Sequence, residues 1–119
     1  MAFRFESLQI WHAAREYAAL VYGLTSKFPR HEDYGLRSQM DRAVNSISMN
    51  IAEGSAKSKR NFAYYLETSV GSTFEVVGSS FLALDRGYIS KEEQLCLYHD
   101  GERLAKSINA FRNTLHDEP

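Results

Sequence analysis

The sequence predicts an all-α fold, an antiparallel up-and-down four-helix bundle, on three observations. Apolar residues recur at alternating intervals of about four and three along long stretches of chain. The only prolines are Pro29 and Pro119, so nothing breaks those stretches from within. The breaks between them carry capping and turn chemistry. Intervals of four and three gather apolar side chains on one side of a helix. Short connections make successive helices antiparallel neighbours, and one bundle buries all the seams together. No alternating β-branched run flanked by turn residues competes with this reading.

In the first helix, the seam is Ile10, Ala14, Tyr17, Val21, Leu24 and Phe28. The helix ends at Phe28-Pro29, because proline disfavours the helical conformation in the residue before it. The second seam is Leu36, Met40, Ala43, Ile47 and Ile51. It closes at Glu53-Gly54-Ser55, where glycine suits the left-handed position past a helix terminus. Ser58 is the expected cap of the third helix, whose seam is Leu66, Val70, Thr73, Val77, Phe81 and Leu84. Asp85-Arg86-Gly87 closes it. Ser90 and Glu93 have the reciprocal capping-box spacing that starts a fourth helix, with Leu97, Gly101, Leu104, Ile108, Phe111 and Leu115 facing the core.

Bulk properties narrow the class. A chain of 119 residues with 44% apolar residues fits a single domain over 1–119. It starts at Met1 without a basic and apolar leader, and its apolar runs fall short of the roughly 20 residues that cross a bilayer. A cytoplasmic protein with no membrane contact is expected. The single cysteine, Cys96, is read as a small packing residue. Net charge is −1, yet residues 1 to 61 carry nine Lys or Arg against six acids, and residues 62 to 119 carry five against nine. The halves are therefore +3 and −4.

Three features exceed what one bundle needs. The first helix has a second apolar face, Leu8, Trp11, Ala18 and Tyr22, about 100° round from its seam. The third carries Gly71 and Gly78 in its interior, each costing about 1 kcal/mol relative to alanine. They share a face with Glu67 and Glu75, as if another backbone came close. The second has a polar stripe of Gln39, Arg42, Ser46, Asn50 and Glu53. Together these features predict a homo-oligomer with Trp11, Tyr22, Gly71 and Gly78 at the subunit contact. The stripe, with Glu75, reads as a structural polar seam that fixes how the second and third helices meet each other or a neighbouring subunit, with antiparallel packing bringing Arg42 to Glu75. The alternative is that Arg42 faces a ring cavity and holds an anion.

Enzymatic signatures are missing. His12, His31, His99 and His116 are dispersed, and none forms the Glu-x-x-His pair of a dimetal bundle. "EGSAKSK" lacks the spacing of a phosphate loop and the strand that should precede it. No catalytic residue, metal or cofactor is expected. The stretch "SMNIAEGSAKSKRNF" does place Lys57, Lys59 and Arg60 within four positions. Cations interleaved with aromatics bind nucleic acid by charge neutralisation and base stacking. Phe62 and Tyr65 read first as anchors that pin the start of the third helix, and the basic turn as a structural turn with exposed cations.

The order "FPRHEDYGLRSQMDRAVNSISMNIAEGSAKSKRNFAYYLETSVGSTFEV" resembles the four helix bundle proteins related to the 23S ribosomal RNA intervening-sequence proteins. The most specific parts are Tyr34-Gly35-Leu36, Gln39, Arg42-Ala43, Ser46-Ile47, Asn50 to Gly54, and Gly71-Ser72 followed by Glu75. The resemblance spans nearly the whole chain. It implies an antiparallel four-helix bundle assembled as a ring, commonly a pentamer, with no established enzymatic activity. Some members are encoded within intervening sequences of ribosomal RNA genes, and a related accessory protein of diversity-generating retroelements works with nucleic acid and a reverse transcriptase. RNA or DNA binding through a basic rim is therefore the leading expectation. A ring-shaped scaffold for an unknown protein partner, without nucleic-acid binding, is the alternative.

Overall fold

The computed structural model describes residues 2–115, and all regular structure among them is helical. A 3-10 turn at Arg4–Ser7 leads into α1 (Gln9–Thr25), and a second 3-10 turn at Arg30–Glu32 leads into α2 (Leu36–Gly54). Then come α3 (Lys59–Asp85) and α4 (Lys91–Arg112). Each helix packs on the next and α4 returns to α1, so α1 lies diagonally across from α3. Among the described residues no helix is long and apolar enough to cross a membrane.

The predicted seams of α1, α2 and α4 form most of the core, although Leu24 and Phe111 are only partly buried, α1 stops at Thr25 rather than running to Phe28, and Leu115 lies beyond α4. Ile10, Ala14, Tyr17, Val21 and Phe28 are buried, as are Leu36, Met40, Ala43, Ile47 and Ile51, and Leu97, Leu104, Ile108 and Leu115. The seam of α3 differs from the expectation. Leu66 and Thr73 are buried, but Val70, Val77 and Leu84 are only partly so, and Phe81 is 44% exposed. The face turned inward is instead Phe62, Leu66, Ser69, Thr73, Val76, Ser80 and Ala83, flanked by Ser72 and Ser79. Choosing the largest residue in each turn follows Phe81, whereas the neighbouring helices leave room for hydroxyls.

Those hydroxyls are satisfied where they are buried. Ser69 donates to the Ile47 carbonyl at 2.9 Å, and Ser72 donates to Ser46 Oγ at 2.8 Å. Thr73 donates to the Ser69 carbonyl at 3.0 Å, and Gln94 Nε2 to Ser80 Oγ at 3.2 Å. Among the described residues no buried side-chain nitrogen or oxygen lacks a partner. Each such bond avoids the 1–3 kcal/mol or so that an unsatisfied buried polar group costs. On the opposite side, Tyr17 donates to the Leu97 carbonyl at 2.8 Å. Gly101 makes room for that ring, since a Cβ there would lie 2.7 Å from Tyr17 Oη and 2.7 Å from Val77 Cγ2. Burial, with the nearby Asp100 adding to it, pushes the Tyr17 phenol well above its ordinary range and keeps it a donor.

The helix boundaries follow local chemistry. Ser58 Oγ accepts the Asn61 N–H at 3.3 Å, and Ser90 and Glu93 close their capping box at 3.1 and 2.8 Å. After α3, Gly87 takes φ 78°, with Gly87 N–H on the Leu84 carbonyl and Tyr88 N–H on the Ala83 carbonyl. That pair of bonds is the Schellman arrangement. Gly54 does not have the left-handed role expected of it. It remains helical, and its missing Cβ would stand 2.7 Å from Tyr65 Cβ and 2.8 Å from Phe62 Cδ1. Cys96, expected inside, is exposed on α4.

Gly54→Ala therefore separates two effects of opposite sign. Helix propensity alone would stabilise the variant by about 1 kcal/mol, whereas forcing a methyl group against Phe62 and Tyr65 costs about 1–3 kcal/mol. Thermal unfolding should show a lowered Tm. A raised Tm would show that Gly54 is not a packing requirement.

Candidate nucleic-acid interface

Antiparallel order brings the start of α1, the end of α2, the start of α3 and the end of α4 to one end of the bundle. Lys57, Lys59 and Arg60 stand exposed there, on the turn held by Gly54 packing and the Ser58 cap. Cations at a helix N-terminus oppose the macrodipole, so local helix stability does not account for them. Among the described residues none of the three pairs with a carboxylate. Lys57 Nζ lies 6.0 Å from the Tyr65 ring centroid, and the Arg4 guanidinium lies 5.2 Å from the Phe62 centroid.

The aromatics that follow divide as the sequence suggested. Phe62 is wholly buried and meets Phe111 edge-on at 5.6 Å. Tyr65 donates to Glu53 Oε2 at 3.1 Å, and that hydrogen bond, with the charge behind it, raises the phenol above its ordinary value. Glu53, the acid nearest the basic turn along the sequence, is thus engaged by Tyr65. Arg112 ties the end of α4 to α3, through the Ala63 carbonyl at 3.2 Å and Glu67 at 3.1 Å.

The polar stripe separates into parts. Ser46 and Asn50 are half-buried, with Asn50 Nδ2 donating to the Ser46 carbonyl at 2.8 Å and to Ser46 Oγ at 2.9 Å. With Ser72 they form the inter-helix seam. Glu53 joins Tyr65, while Gln39 and Arg42 face outward. The partly buried Arg42 and Glu75 pair is not formed within the chain. The 46–72 and 53–65 bonds set a register in which Arg42 is level with Val76. Val76 points into the core and Glu75 outward, and the two charged residues are exposed without an ion pair among the described residues.

The second face of α1 is more covered than expected. Phe5 from the N-terminal 3-10 turn lies 4.6 Å from Trp11 between ring centroids, and the Arg15 guanidinium lies 4.7 Å from the Trp11 ring. Leu8, Trp11 and Ala18 pack against the core, whereas Tyr22 remains 45% exposed with its hydroxyl accepting from Asn45 Nδ2 at 2.7 Å. Gly71 and Gly78 are exposed, and a Cβ on either would meet nothing within 4 Å, so no close approach occurs there among the described residues. Sequence reasoning missed a groove of about 520 Å³ between α3 and α4, lined by Phe74, Val77, Gly78, Phe81, Tyr98 and Ala105 among others. Phe81 and Tyr98 meet edge-on at 6.2 Å. The spacing of Phe74, Gly78 and Phe81 was the available signal, hidden because Phe81 was assigned to the core.

At the opposite end Glu32 forms a satisfied network. It accepts the Leu36 N–H at 3.0 Å, the Tyr88 hydroxyl at 2.7 Å and Arg86 Nη1 at 3.0 Å. His31 Nε2 sits 3.2 Å from the same Tyr88 hydroxyl, and His12 Nε2 sits 2.7 Å from the Glu6 carbonyl oxygen. His116 lies outside the described residues. Among the described residues no three His, Cys, Asp or Glu side chains converge as a metal site would require.

The 23S rRNA-intervening sequence protein family model matches residues 6–110. The chain belongs to that family. A crystal structure of a protein with unknown function from the S23 ribosomal protein family of Bacteroides thetaiotaomicron VPI-5482 shares the fold, with a TM-score of 0.79 at 19% identity. The likeness covers 87% of this chain and 97% of that one. No curated protein matches the chain. Within the family's four-helix frame the basic turn is one end of the bundle and the Glu32 network is the other.

The Glu32 network predicts an acid-sensitive contribution to stability. The Leu36 N–H bond first, then the Tyr88 hydroxyl and the Arg86 guanidinium, hold the carboxyl below its ordinary value of 4.5. A depressed folded pKa stabilises the native state fully above the unfolded value, and the contribution disappears as pH falls through the folded value. Urea midpoints should show Glu32→Gln less stable than the parent near neutrality, with the gap closing below about pH 4.5. A gap that stays constant with pH would remove Glu32 ionisation from the account.

Proposed function

We propose that this chain is a non-enzymatic subunit of a cytoplasmic ring-shaped homo-oligomer, a pentamer, that binds structured RNA or DNA through its basic ends. The observation that carries the reading is the set Lys57, Lys59 and Arg60, exposed on a turn at one end of the bundle and without a carboxylate partner among the described residues. Each subunit offers only a few phosphate contacts. Repeated around a ring, weak contacts add through effective concentration. Such binding is sequence-tolerant and falls steeply with salt, because each neutralised phosphate releases counterions. The family description, which refers to a 23S rRNA intervening sequence, agrees with a nucleic-acid setting.

Assembly is supported by surfaces at opposite corners. The α3 and α4 groove exposes Phe74 and Phe81, while α1, diagonal to α3, exposes Tyr22. Contiguous exposed apolar surface commonly marks an interface. A contact between different faces of successive copies is heterologous, and it closes into a ring when the rotation permits. The same groove favours a second reading, a ring-shaped scaffold that holds a protein partner and binds no nucleic acid.

Two measurements decide. In light scattering at micromolar concentration the protein should be oligomeric, and Phe81→Glu should shift it toward monomer; a parent protein that remains monomeric rejects the ring. In titrations against structured RNA and duplex DNA, combining Lys57→Glu, Lys59→Glu and Arg60→Glu in an intact oligomer should lower affinity by about tenfold or more and flatten the salt slope. An assembled oligomer whose affinity survives the triple reversal does not use this end, and one with no affinity at all favours the scaffold.

A further inference from the structure

Resting on that reading of the basic end, we propose that Tyr64 is a base-stacking residue and that the ligand is a single-stranded stretch of nucleic acid. Three aromatic residues occupy the first turns of α3, and their fates differ. Phe62 is buried, and Tyr65 is bound to Glu53 with Lys57 over its ring. Tyr64 is 74% exposed, and among the described residues its hydroxyl makes no hydrogen bond and its ring no aromatic or cation contact. Among the described residues nothing accounts for a large ring at this position.

Its surroundings select the occupant. Arg60 lies one helical turn before Tyr64 on the same exposed face, and Asn61 lies three residues before it. That face therefore presents a cation for phosphate, a side-chain amide for base edges and a free aromatic plane. Lys57 and Lys59 extend the positive charge toward the turn. An apolar protein partner would have to bury these charges without acidic compensation, whereas a polyanion neutralises them. In a duplex the base faces are stacked on one another and cannot meet a ring on the protein surface. An unpaired base can lie on it, and such stacking tolerates any sequence.

The test compares a short oligouridylate with an RNA duplex of the same length, titrated into the oligomer by fluorescence anisotropy. Tyr64→Ala should weaken single-strand binding by about tenfold and leave duplex binding within about twofold, while Tyr64→Phe, which keeps the ring, should match the parent. The salt slope should be unchanged in both variants, since no phosphate contact is lost. Equal effects of Tyr64→Ala on both probes, or no effect on either, overturn stacking and leave the basic-end reading standing. Parent protein that binds duplex but not oligouridylate has the same consequence. Failure of the parent to bind either RNA overturns both proposals. Circular dichroism of Tyr64→Ala should match the parent, because among the described residues the side chain makes no hydrogen bond or aromatic contact.

Discussion

The close approach of α2 to α3 governs the rest of the structure. At its tight end, Gly54 has no side chain because Phe62 and Tyr65 occupy the space where one would be. Further along, Ser69 reaches the Ile47 carbonyl and Ser72 reaches Ser46. These contacts fix the register of the helix pair, and register fixes direction. Once positions 46 and 72 are level, Val76 points inward, and Glu75 is left on the outer face with Gly71 and Gly78.

The same constraint positions the candidate interface. Burying Phe62 under Arg4 and tying Tyr65 to Glu53 commits two of the three aromatics at the start of α3. Helical geometry then places Tyr64 outside, beside the cations of the turn. Charges at this end are not needed for stability, since they stand against the helix dipole and lack carboxylate partners among the described residues. At the other end Glu32 serves stability directly, because it accepts a backbone N–H at the start of α2 and joins it to Arg86 and Tyr88 beyond α3.

Chemistry between neighbours in the chain was legible from the sequence alone. The helix count, the Ser58 cap, the capping box of Ser90 and Glu93, the Gly87 stop and three of the four seams all follow from spacing and side-chain type. So did the exposure of Lys57, Lys59 and Arg60 and the anchoring roles of Phe62 and Tyr65. Such features depend on a single turn of helix and its flanks, where propensity and hydrogen-bond geometry act over a few residues.

Tertiary packing decided what depends on the neighbouring helix. The inward face of α3 is set by how near α2 and α4 lie, and a close neighbour accepts serine where apolarity alone favours Phe81. Trp11 is covered by a 3-10 turn that no periodic pattern announces, and within the chain Arg42 misses Glu75 because register, not spacing within one helix, determines which residues meet. Gly54 and Gly101 are glycines for lack of space rather than for backbone freedom. A one-dimensional pattern records which side chains are apolar. It does not record the distance between helix axes, and that distance decides which side chains fit.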